Sequence, residues 1–221
     1  MKKILFISAI ILLASACKKD SSEIDQNTIY QSYSMVYDEE TDQTTVSAKF
    51  FEDKMNGKNL ELTGGSKVTM NGSTMTKNGT TYSSTVDGYL ATASLIFTNS
   101  EGKEYANTIN KANPITNDDE MYLNKNITGY WYWFGNTIAS GEKVSLSLIN
   151  VPDNSLSQSF SETTIGRDYV KMLASSLINL PDGNTKVTIS RSKETTTGNF
   201  ATVGGTITAT YKGLNNYVEI Y

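Results

Sequence analysis

Cys17 is the only thiol in this 221-residue chain, and it directly follows an apolar segment. A lone cysteine excludes an internal disulfide and leaves acylation or nucleophilic chemistry for its sulfur. Histidine is absent. That removes Ser-His and Cys-His catalysis and histidine-ligated zinc together. Glycoside hydrolysis needs only two carboxylates at a set separation, but no stretch singles out such a pair. Asp38, Glu39, Glu40 and Asp42 form one acidic run, and Asn117, Asp118, Asp119 and Glu120 another. Neither fits the twelve-residue calcium loop with its glycine at position six and glutamate at twelve, so both read as solvated turns. No metal site, cofactor site or catalytic residue is therefore expected, and the chain reads as a non-enzyme. The remaining candidates are Trp131 and Trp133, within the aromatic run Tyr130 to Phe134. Their flat rings suit stacking against sugar C–H groups, with core packing as the plainer alternative.

The start of the chain explains the position of Cys17. Lys2 and Lys3 supply a positive end, Ile4 to Leu13 is apolar apart from Ser8, and Ala14-Ser15-Ala16 offers small side chains for cleavage. Residues 1–16 thus read as a signal peptide. The apolar part is too short to span a bilayer as a helix, which takes about 20 residues. Leu13-Ala14-Ser15-Ala16-Cys17 resembles a bacterial lipobox, although Ala14 stands where leucine is commonest. The resemblance implies a lipidated Cys17, anchored in a membrane by more than one acyl chain. Residues 17–26 are polar apart from Ile24 and predict a flexible tether. Their charged character resembles the surface-export signals of Bacteroidota lipoproteins, which implies outer-membrane location, on the cell surface or the periplasmic face.

Charge narrows the partners. The chain holds 19 basic and 23 acidic residues; without Lys2 and Lys3 the mature balance is 17 against 23, or −6. Nucleic acid needs a basic surface and is excluded as a partner. The membrane, through the lipid, and a protein or glycan remain.

Short strands at regular spacing dominate the rest. Tyr33, Met35 and Tyr37 alternate with polar residues, as do Val46, Ala48 and Phe50. Asn71-Gly72 and Asn78-Gly79 predict tight hairpin turns. Tyr89 to Phe97 and Val144, Leu146 and Leu148 predict half-buried strands. Tyr169, Leu173, Leu177 and Leu180 sit near helical spacing and allow one short helix. Gly204-Gly205 suggests a bulge beside a final strand. Pro114 and the polar residues after it mark the best boundary. The expectation is a β-sandwich at 27–110, a linker at 111–119 and a second β-sandwich at 120–221.

Leu177-Ile178-Asn179-Leu180-Pro181-Asp182-Gly183 followed by Val187-Thr188-Ile189 resembles the E-to-F crossover of immunoglobulin-like and fibronectin-like sandwiches. Gly204 to Tyr211 would be the last strand. Over 27–221 the chain resembles two-domain immunoglobulin-like lipoproteins of Bacteroidota with no assigned activity. That resemblance implies an all-β fold and a surface location, and carries over no functional residues. The function expected is a non-catalytic, membrane-anchored binding or scaffolding module. The alternative is an accessory glycan-binding lipoprotein of a polysaccharide-uptake system, using Trp131 and Trp133. Within the aromatic run, Tyr130, Tyr132 and Phe134 are expected to pack inward, leaving the tryptophans outside.

Overall fold

A computed structural model describes residues 19–117 and 122–221. The strands of the first half are β1 (Lys19–Asp20), β2 (Ile29–Asp38), β3 (Gln43–Glu52), β4 (Leu60–Glu61), β5 (Lys67–Met70), β6 (Ser73–Thr74), β7 (Thr76–Asn78), β8 (Thr81–Asp87), β9 (Thr92–Thr98) and β10 (Glu104–Asn110). The second half adds β11 (Thr116–Asn117), β12 (Gly129–Phe134), β13 (Glu142–Asn150), β14 (Ser157–Glu162), β15 (Tyr169–Met172), the single helical turn α1 (Ala174–Leu177), β16 (Gly183–Thr195), β17 (Gly205–Lys212) and β18 (Asn216–Ile220). The fold is all-β, as the alternation predicts. Asn71 and Gly72 both take positive φ, 48° and 83°, and close the β5–β6 hairpin. Such a turn needs left-handed backbone at both central residues, which asparagine and glycine adopt at least cost.

One nine-stranded sheet runs β14-β13-β16-β17-β2-β3-β8-β7, with β18 paired to the other end of β16. Its inner face carries Val187, Ile189, Leu146 and Leu148 from the second half, and Tyr33, Met35, Val46 and Ala48 from the first. Two smaller sheets cover that face. The sheet β10-β9-β5-β6 packs over the first half, where the rings of Phe50 and Phe97 lie 4.6 Å apart. The sheet β11-β12-β15 packs over the second, where the Arg191 guanidinium lies 5.8 Å from the Trp133 ring. The buried apolar side chains form one continuous cluster from Ile29 to Ile220.

The join between the halves corrects the expected division at 111–119. β17 pairs in parallel with β2 over Gly205–Lys212 and Gln31–Asp38. The units 27–110 and 120–221 therefore share a sheet and are not two separate sandwiches. Side chains fasten the seam. Lys212 Nζ meets Asp38 Oδ2 at 2.5 Å. The Leu214 amide donates to Glu39 Oε2, and the Asn215 amide and side chain donate to Glu40 Oε2. The first acidic run is thus a clasp on the 212–215 segment. Tyr37, Tyr89 and Tyr211 pack ring against ring beside it, at 4.7 to 5.2 Å. Gly205 makes no bulge but a close approach. A Cβ there would stand 2.5 Å from the Gln31 carbonyl oxygen and 2.6 Å from the Phe200 ring.

The expected tether is also revised from Lys19 onward. β1 pairs in parallel with β4. Ser21 and Gln26 are buried. The Thr63 amide donates to Ser21 Oγ at 3.0 Å, and Gln26 Nε2 donates to the Ser21 carbonyl at 2.7 Å. A polar segment reads as a tether from sequence, but these polar groups find backbone partners and pack down. Cys17 and the signal peptide lie outside the described residues.

Candidate functional site

β12 is flanked by β11 on one side and β15 on the other. In a strand, successive side chains point to opposite faces, so Tyr130 to Phe134 must divide between inside and outside. The division is the reverse of the expected one. Trp131 is 0% exposed and Trp133 5%, while Tyr130, Tyr132 and Phe134 are 44%, 50% and 63% exposed. The proposed Trp131–Trp133 ligand platform is therefore withdrawn.

Two features explain the reversal. The indole is the larger apolar body, so burying it removes more surface from water than burying a phenol. Each indole N–H also finds an acceptor inside. Trp131 Nε1 donates to Asn117 Oδ1 at 3.1 Å, and Trp133 Nε1 to the Asn136 carbonyl at 3.2 Å. Asn117 in turn donates to the Leu214 carbonyl, tying β11 to the clasp. Arg191, fully buried, lies beneath Trp133 and donates to the same Asn136 carbonyl. Burial lowers its affinity for the proton, and Glu142 partly restores it.

The outward face is an aromatic strip. In register, Tyr132 lies opposite Tyr169 and Tyr130 opposite Lys171 on β15. The Tyr169 ring packs edge-on against Tyr130 at 5.3 Å and tilted against Tyr132 at 5.5 Å. Arg167 lies 5.5 Å from the centre of the Tyr169 ring and is held by Glu162 on β14. Hydrogen bonds from Thr164, with those from Arg167 and Thr163, hold the Glu162 carboxyl down at about 2. Phe134 extends the row beside Thr116 of β11. The result is an outward strip of four aromatic rings edged by Arg167 and Lys171. Tyr130 and Tyr132, held against Tyr169, which Arg167 holds in turn, lose little freedom when a partner covers them.

Among the described residues no cluster of three or more Asp, Glu or Cys has metal-binding geometry. Of the second acidic run only Asn117 is described, and it serves Trp131. Sequence reasoning named the aromatic strand but assigned its faces wrongly. The Asn136 carbonyl, three residues from Trp133, was a local signal that could have decided it; Asn117, fourteen residues before Trp131, was not.

No family model matches the chain, and no curated protein matches it. Among solved structures, one similar chain is a tetra-tandem repeat from the extending region of a large adhesion protein, with 14% identity and a TM-score of 0.29. Another belongs to a 1.5-MDa bacterial ice-binding adhesin, with 18% identity and a TM-score of 0.27. The alignments cover 84% and 87% of this chain but only 48% and 66% of those chains. Likeness at that level carries no argument about what this chain does, so the reading of function rests on the aromatic face.

Proposed function

We propose that this chain is a non-catalytic binding module, held outside the cytoplasm at the outer membrane by acyl chains on Cys17, that presents the Tyr130, Tyr132, Phe134 and Tyr169 face to a protein partner. The single observation that carries the reading is the outward row itself. Three aromatic side chains of β12 stand exposed, while their alternates fill the core. Contiguous apolar surface of this kind marks interaction sites, and tyrosine, phenylalanine and arginine are enriched at protein interfaces. Truncation effects at interfaces concentrate on such rigid aromatic anchors.

The anchor suits a scaffold that lies close to its membrane. Only Lys18 separates Cys17 from β1. At about 3.5 Å per residue, the folded body starts within about 10 Å of the lipid attachment. Among the described residues no helix is long and apolar enough to cross a membrane.

The test compares wild type with the Tyr132→Ser, Phe134→Ser double variant on intact cells. Cross-linking followed by affinity isolation should recover one stoichiometric protein partner with wild type and lose it with the variant, at equal expression and unchanged melting temperature. A glycan array run in parallel reads the alternative. Glycans bound by wild type and lost by the variant would transfer the strip to the polysaccharide-uptake reading. Identical behaviour of the two proteins in both assays would contradict any partner at this face.

A further inference from the structure

The outer face of the large sheet carries a second, chemically different surface. Along the middle of β13, β14, β16 and β17 most outward positions are hydroxyl-bearing. In register, Ser161, Ser145, Ser190 and Lys212 form one rung across four strands, and Ser159, Ser147 and Thr188 form the next. Neighbouring strands lie about 4.8 Å apart and rungs about 7 Å apart, so the hydroxyls make a regular mesh. The right-handed twist of a broad sheet bends it, and here the bend encloses a shallow, open concavity of about 410 Å³ over these residues. That volume falls within the range of small-ligand sites.

Two properties separate this concavity from an ordinary polar surface. The hydroxyls of Ser145, Ser147, Ser159, Ser161, Ser190 and Thr210 have no hydrogen-bond partner among the described residues, although Ser and Thr elsewhere on the same face bond one another, as Thr45 with Thr85 and Thr206 with Ser32 do. Their donors and acceptors are free for a ligand. The only charged residues lining the concavity are Lys143 and Lys212. Asp38, just outside, takes one side of Lys212, while Lys143 is exposed with no carboxylate partner among the described residues. Lys143 is thus the one unpaired charge among the residues that line the concavity.

The two lysines stand on β13 and β17, two strand spacings apart and offset by one rung, which puts their Cα atoms about 12 Å apart. An extended anion bridges them better than a small one. A peptide strand would need a free sheet edge to pair with, and the concavity is a sheet face. A polyhydroxylated chain lying across the strands can exchange a hydrogen bond at each rung and place its acidic groups on the two ammonium ions. We infer that this concavity binds an acidic saccharide, with Lys143 and Lys212 taking the acidic groups and the serine–threonine mesh taking the sugar hydroxyls.

The experiment is titration calorimetry on the chain lacking only residues 1–16 and carrying Cys17→Ser. The probes are uronate, sulfated and sialylated oligosaccharides, the carboxyl-reduced form of the uronate, and inorganic phosphate. At least one acidic oligosaccharide should bind with one-to-one stoichiometry, and its affinity should fall with added salt. Carboxyl reduction or sulfate removal should weaken it at least tenfold. Lys143→Gln should weaken it about tenfold, and Ser147→Trp, which fills the concavity from an outward position, should abolish it without lowering the melting temperature. Tyr132→Ser with Phe134→Ser should leave it unchanged, which separates this site from the aromatic strip. The inference is overturned if no acidic oligosaccharide binds, if the neutral form binds equally, if Lys143→Gln and Ser147→Trp are silent, or if phosphate alone binds as tightly as the saccharide.

Discussion

Trp131→Ala is the perturbation that most sharply separates an inward from an outward tryptophan. The side chain is wholly buried between the β11-β12-β15 sheet and the large sheet. A buried aromatic side chain removes about 150–250 Å² from water, which at about 25 cal/mol per Å² is worth about 4–6 kcal/mol. Alanine keeps the Cβ and the site relaxes only in part, so about 3–5 kcal/mol is the expected loss. Asn117 Oδ1 also loses its N–H donor, which adds about 1 kcal/mol for an unsatisfied buried acceptor. For a chain of this size each kcal/mol moves the midpoint by about 2–4 °C. Trp131→Ala should therefore lower the melting temperature by about 8–24 °C in a calorimetric scan. Trp131→Phe keeps most of the volume and should cost less than half of that. Phe134→Ala, on the opposite face, should shift the midpoint by no more than a degree or two. A silent Trp131→Ala together with a destabilising Phe134→Ala would refute the assignment of faces and restore the tryptophan platform.

Three further outcomes follow from other parts of the molecule. Cys17→Ser should abolish incorporation of a palmitate analogue while leaving the circular dichroism spectrum unchanged; equal labelling of variant and wild type would refute the lipid anchor. Gly205→Ala drives a methyl group toward the Gln31 carbonyl and the Phe200 ring, and overpacking of that kind costs about 1–3 kcal/mol; an unchanged melting temperature would count against the close β17–β2 seam. Glu162 has its folded pKa lowered from 4.5 to about 2. Its contribution is therefore complete above about pH 4.5 and lost as pH falls toward 2; urea midpoints from pH 6 to pH 2 should decline less steeply in Glu162→Gln, and parallel profiles would contradict the Glu162 contacts.

Much of the local structure was legible because it depends on neighbours in sequence. Val144, Leu146 and Leu148 alternate in sequence and are buried in β13, and Asn71-Gly72 specifies its turn within two residues. The helical spacing from Tyr169 to Leu180 narrowed to a strand and the single turn α1, because Tyr169 and Val170 find a partner strand in β12. The faces of β12 were harder. Period two fixes that Trp131 and Trp133 share a side, but the sign depends on which side offers bulk and hydrogen-bond acceptors. Least legible was the union of the halves. Ser32 and Thr206 meet across 174 residues, and no local pattern encodes which distant strand completes the edge of β2. The hydroxyl mesh shares that origin. Each strand shows its own alternation, but only the pairing of four strands lays Ser161, Ser145, Ser190 and Lys212 in one row.

The most direct test of the central claim places a photoreactive benzoyl-phenylalanine at position 134 in living cells, with the same probe at position 85 on the far face of the large sheet as the comparison. The account predicts a discrete protein adduct from position 134 that is absent from position 85 and disappears when Tyr132→Ser is added. No adduct from position 134, or the same adduct from both positions, would contradict a partner-binding role for the aromatic face.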